Sequence, residues 1–248
     1  MESLRAIFWK GAKRPFSNCR VLLFSLFIFA RIPLLYLITG FLAMGYILRV
    51  GRLTQLGKWE LPLWKDYLEL FKNGFFGWLI VLIYFLPALA ISLAIYFIWP
   101  DLGFPKFGLN ILEMTNYFEA LLGLLKGLGY PLIILWGWSY LMALYLIPCA
   151  LLRYVQENKF SDAFKFKFLL KKTFSKNYSI SWVILELTPA LIITAISFFR
   201  DNYYTVVLST SPIKYLFLII LYLVIAFKEY FVNVLAYSVY GTVLKGRD

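Results

Sequence analysis

Four charged residues fall inside long apolar runs: Arg31, Glu186, Lys228 and Glu229. A charge at the centre of a membrane helix costs roughly 2.5–3.5 kcal/mol on insertion scales, so each asks for a partner or a task. Lys228 and Glu229 are neighbours, and adjacent side chains on a helix point about 100° apart. They are therefore expected to find partners on other helices rather than in each other. Glu186 stands shortly before Pro189, near where a helix loses a hydrogen bond. Tyr84 has the same place before Pro87, and Asn233 follows Glu229 by one turn. These residues predict an intramembrane polar cluster of Arg31, Tyr84, Glu186, Lys228, Glu229 and Asn233, with Glu186 paired to Lys228 and Arg31 to Glu229. It would line a path for a polar solute, a proton or a lipid headgroup, or act only as glue between helices. At 1.5 Å per residue Glu186 lies about 12 Å and Lys228 about 22 Å from the inner boundary, a gap that tilt and the lysine stem must close.

Little else in the chain has the makings of chemistry. It contains no histidine, which removes the commonest general base and the commonest transition-metal ligand. No nucleophile–base pair, phosphate-cradling glycine loop or metal spacing is present, so neither an enzyme nor a resident metal or cofactor is expected. Cys19 and Cys149 are far apart, which argues against a disulfide and leaves too few soft ligands for zinc. A lone juxtamembrane Cys19 is a weak signal for acylation. The net charge of +12 could point to nucleic acid. The basic residues, however, hug apolar runs without any nucleic-acid motif, so no nucleic-acid partner is expected.

The elements that must position these residues are membrane spans. The chain is 62% hydrophobic and 20% aromatic, outside the range of soluble domains. Crossing the hydrocarbon takes about 20 apolar residues, which predicts helices over 75–98, 128–152, 180–199 and 213–243. The first apolar run is too long for a signal-peptide core and has no A-x-A-like site, so no cleavable signal is expected. Basic residues fill 1–20, 48–74, 153–179 and the last five positions; outside these stretches only Arg31, Lys106, Lys126, Arg200, Lys214 and Lys228 occur. Loops 99–126 and 200–212 are poor in charge, and 111–125 suits a short interfacial helix. The positive-inside rule then puts both termini and both basic connectors in the cytoplasm of a multi-pass cell-membrane protein. The run 21–50 is broken at Arg31-Ile32-Pro33. A hairpin keeps both its basic flanks inside and is preferred; a single crossing is the alternative. The whole is a single all-α membrane domain.

The connectors read as amphipathic. Pro62 suits a helix start and Gly74 its stop, with Trp64, Tyr67, Leu68 and Phe71 on one face. In 160–177, Lys165, Lys167, Lys171, Lys172 and Lys176 interleave with Phe164, Phe166 and Phe168, the early part at period two. Such segments lie at a membrane surface, where each lysine attracts anionic lipid by roughly 1 kcal/mol or simply fixes topology. A weak repeat at offsets of about 102–104 residues relates Leu48-Arg49 to Leu152-Arg153 and Pro87-Ala88-Leu89 to Pro189-Ala190-Leu191; duplication and chance in a Leu-rich chain explain it equally well.

Gly45-Tyr46-Ile47-Leu48-Arg49, Arg52, Glu60-Leu61-Pro62-Leu63-Trp64 and Leu70-Phe71-Lys72-Asn73-Gly74 together resemble the signature of the domain-of-unknown-function 4013 family. So do Leu146-Ile147-Pro148-Cys149-Ala150-Leu151-Leu152-Arg153-Tyr154 and Ala163-Phe164. The resemblance runs from about residue 20 to 240 and implies a polytopic membrane protein of a largely archaeal group with no assigned activity. It brings no catalytic residues. Lys65-Asp66 stands where two acids are usual. Related bacterial families open with a helical hairpin, which favours the same reading here. The function expected is non-enzymatic: organising the membrane, or anchoring a partner at anionic lipid. A small transporter or channel using the polar cluster is the alternative.

Overall fold

The computed structural model describes residues 3–29, 36–98, 130–187 and 213–245. Arg31, the tip of the broken run, the outer loops and the far part of the 180–199 span lie outside the described residues. No strand occurs among those described.

Helix ends follow local chemistry. Ser3 caps α1 (Leu4–Lys13) by accepting from the Ala6 N–H at 3.3 Å. A 3-10 turn, Arg14–Phe16, follows with Pro15 at its start. Asn18 Oδ1 then accepts from the backbone of Arg20 and Val21 at 3.1 and 3.2 Å, opening α2 (Cys19–Phe29). α3 (Tyr36–Gln55) stops at Gly57, whose φ of +81° is cheap only for glycine. The Gly57 N–H bonds Thr54 O and the Lys58 N–H bonds Leu53 O, both at 2.9 Å, closing the helix in a Schellman motif. α4 (Tyr67–Ile98) begins after Asp66, and α5 (Tyr130–Glu157) ends at Asn158; both flanking residues have positive φ, tolerated by short polar side chains. The second connector folds as a 3-10 turn (Phe160–Phe164), α6 (Phe166–Thr173) and α7 (Lys176–Trp182), which runs into a π turn, Val183–Leu187. α8 (Ile213–Leu244) completes the order.

Among the described residues four helices are long and apolar enough to cross a membrane: Leu37–Gln55, Tyr67–Ile95, Ile134–Glu157 and Leu223–Leu244. They overlap three of the spans read from sequence and add α3. The described part of α2 is 11 residues.

The first connector differs from expectation. Pro62 starts no helix, and Gly74 stops none: it lies inside α4, where a Cβ would overlap the Phe41 carbonyl. Gly45 likewise faces the Leu70 carbonyl, and Gly77 meets Met44 and Leu48. α3 and α4 thus run antiparallel at backbone contact, and the glycine is a contact rather than a terminator. α8 runs parallel to α3, with Gly241 against the Gly51 carbonyl and Thr54. α2 is antiparallel to α3: Arg14 reaches Thr54, while Ser25 bonds Trp64, which stacks on Tyr46. The core holds Tyr46, Leu48, Leu152, Tyr178, Tyr230 and Tyr240, all fully buried.

Candidate functional site

Among the described residues, the polar groups read from sequence are held by different partners. Glu186 sits in the π turn, and its Oε1 accepts from Tyr240 Oη at 3.1 Å. Its expected partner Lys228 instead approaches Glu229 at 3.5 Å, with 40% of the lysine side chain exposed. Two long side chains on neighbouring positions can bend together, which the 100° separation of their Cβ directions does not forbid. Asn233 turns back on its own helix, donating from Nδ2 to Glu229 O at 2.7 Å. Tyr84 donates to Ala163 O at 2.7 Å and stacks on Phe164. Arg31, the expected partner of Glu229, lies outside the described residues.

Tyr84 points to a different site. The second connector folds back along α4 and α5. Phe160 packs on Phe76, and Phe164 and Phe166 reach Tyr84. Behind it α5 contains Pro148, which has no N–H to give to the Leu144 carbonyl. Trp182 of α7 supplies the missing donor, its Nε1–H reaching Leu144 O at 3.1 Å. Tyr178 adds a bond to Tyr145 O at 2.6 Å, and Tyr145 Oη in turn donates to Thr173 O. The proline therefore fixes where α7 docks. Lys165 bonds Asp162 at 2.8 Å, and this hydrogen bond holds the Asp162 carboxyl below its usual range. Lys167 and Lys171 are exposed, as are Phe166, Leu170 and Phe174; Lys172 is half-buried over the Phe168 ring.

In the first connector Trp64 is half-buried, stacked on Tyr46 at 4.2 Å with Nε1 donating to Ser25 at 3.0 Å. Phe71 packs on Phe41. Tyr67 and Leu68 are exposed on the first turn of α4. Arg49 bridges to Glu69 at 2.9 Å and to Asp66 at 3.6 Å. Its repeat counterpart Arg153 instead pairs within its own helix with Glu157 at 2.8 Å and covers the Phe168 ring. The glycine, Tyr-Ile-Leu-Arg and Leu-Pro-Leu-Trp strings thus form joints between α3, α4 and the first connector.

One buried cation escaped the sequence reading, which counted Arg14 among the charges that set topology. Arg14 is 3% exposed. Nη1 donates to Thr54 Oγ1, to Ser238 Oγ at 2.8 Å and to Val50 O at 3.5 Å; Nη2 donates to Glu60 O at 2.8 Å and Lys58 O at 3.4 Å. No carboxylate is among its partners. Burial pushes the guanidinium down to about 10, so it stays cationic at neutral pH. A signal existed: Ile7, Gly11 and Arg14 recur at helical spacing on the face that meets α8.

No curated protein and no solved structure matches the chain. Residues 26–200 match the model of a family described as "Protein of unknown function (DUF4013)". That stretch holds the α3–α4 glycine joint, the stacked Trp64 and the proline-docked connector, and with most of its length matched the chain belongs to the DUF4013 family.

Proposed function

We propose that this membrane protein is a non-enzymatic organiser of anionic lipid, gripping the inner leaflet with its basic end. The observation that carries the reading is α6. Phe166, Leu170 and Phe174 are exposed one turn apart, and Lys167 and Lys171 stand beside them. An exposed apolar stripe edged by lysines suits the boundary between headgroup and hydrocarbon. α1 and the turn after it repeat the theme, with exposed Trp9 and Phe16 near Lys10 and Lys13. Both lie toward the end of the bundle that holds the C-terminus of α8, since Gly11 meets Leu235 and Tyr178 meets Tyr240. Such an end would also anchor a partner at anionic lipid.

The test is the lipid shell of the protein extracted in polymer-bounded native discs. Anionic lipid is expected several-fold above its share in the parent membrane. Charge reversal at Lys167, Lys171 and Lys176 together should return it to that share. An unenriched shell in the wild type would end the reading.

A second reading, a small transporter, is favoured by one observation: Glu186 lies in a π turn, a distortion frequent at functional sites. In reconstituted vesicles Glu186→Gln would then abolish proton-coupled flux, and unchanged flux would remove the reading.

A further inference from the structure

Where α4, α5 and the second connector meet, they leave an open groove of 350 Å³, within the size range of ligand sites. Ile83, Tyr84 and Pro87 form one wall, Trp138 another, and Phe164 and Phe166 the end nearest the lysines. We infer that this groove holds one hydrocarbon chain of an anionic lipid, whose phosphate meets Lys165 and Lys167. The anionic headgroup rests on the reading above; the seated chain does not.

Three observations lead here. First, both hydroxyls lining the groove are already committed: Tyr84 Oη donates to Ala163 O and Ser139 Oγ donates to Leu135 O, each within 2.8 Å. Apart from the Trp138 indole N–H, the side chains of the walls offer aromatic faces and apolar groups, which suit a hydrocarbon chain better than a polar solute. Second, the groove opens on the apolar outer faces of two candidate spans. Leu82, Leu86 and Leu89 are exposed on α4, and Leu135 and Leu141 on α5. A chain from the bilayer enters sideways without crossing a polar surface. Third, among the described residues charge is placed at one end of the groove. Lys165 lies between the lining residues Phe164 and Phe166, and Lys167 follows; both are exposed. A lipid whose chain ends against Phe164 and Phe166 brings its phosphate to these ammonium groups. Lys165 keeps Asp162 as a partner at 2.8 Å, leaving Lys167 as the stronger attraction.

The experiment is native mass spectrometry of delipidated protein titrated with phosphatidylglycerol and, separately, with phosphatidylcholine of the same chains. One phosphatidylglycerol should bind at least tenfold more tightly than the next, and tenfold more tightly than phosphatidylcholine. Ile83→Trp, which fills the groove from its exposed side, should weaken that first lipid tenfold or more and leave the later ones unchanged. Ser139→Leu narrows the groove from α5 and should act in the same direction, so a poorly folding Ile83→Trp leaves the question decidable. Lys167→Glu should erase the preference between the two lipids. A first lipid bound as tightly in both groove variants as in wild type would overturn the groove, while anionic enrichment in native discs would still stand. A tight first lipid with no headgroup preference would overturn the assignment of charge.

Discussion

Arg14 carries a cation into the protein with only neutral acceptors around it. Its hydroxyl partners are themselves anchored: Thr54 Oγ1 donates to Val50 O at 2.9 Å and Ser238 Oγ to Val234 O at 2.6 Å, so each offers Arg14 a lone pair. The guanidinium thereby ties the N-terminal segment to α3, to α8 and to the carbonyls that follow α3. Arg14→Ala should cost about 3 kcal/mol, because bonds to a charged donor vanish and buried acceptors are left bare. Thermal unfolding in detergent would measure it. Lys228 should behave in the opposite way. The sequence alone pairs it with Glu186 inside the membrane; with a partly exposed side chain beside Glu229, Lys228→Met should cost at most about 1 kcal/mol. Residue type and spacing made the charges legible as unusual. They could not say which were buried, since that depends on helices distant in the chain.

At the scale of elements, backbone contact between α3 and α4 is the strongest constraint. Gly45→Ala or Gly74→Ala must push the two helices apart, at a cost of about 1–3 kcal/mol or more for overpacking. Gly40 and Gly137 have open space where a Cβ would go. Alanine at either position should stabilise by up to about 1 kcal/mol through helix propensity, and the contrast is read in the same unfolding assay. Trp182→Phe keeps an aromatic ring but removes the donor that satisfies the carbonyl freed by Pro148 and part of the buried indole, so a loss of about 1–3 kcal/mol is expected. Three of the long helices were legible from apolar run length, and α3 was visible as half of a broken run. The start of α4 was misread because Pro62 and Gly74 carry the marks of helix punctuation. Glycine in a helix interior signals either an end or a close neighbour, and only the partner helix decides. The fold-back of the second connector onto Tyr84 was illegible for the same reason: its anchor is a carbonyl freed by a proline on another helix.

For the whole molecule the organising quantity is charge. Arg14, Arg49, Lys65, Arg153, Lys159 and Lys245 gather toward one end through contacts of α1, α3, α4, α5 and α8, and the second connector joins them. From the spacing of basic stretches between apolar runs, the positive-inside rule leads to the expectation that this end faces the cytoplasm. Direct labelling tests its consequence for orientation. Cys19 is exposed and Cys149 is buried, so the native chain already carries one reactive thiol near α1 and one silent thiol. A membrane-impermeant maleimide is applied to intact cells and to inverted vesicles, using the wild type and Lys167→Cys. The account predicts that Cys19 and the cysteine at 167 are labelled only in inverted vesicles. Labelling of either one from outside intact cells would put a basic stretch on the outer side and contradict it.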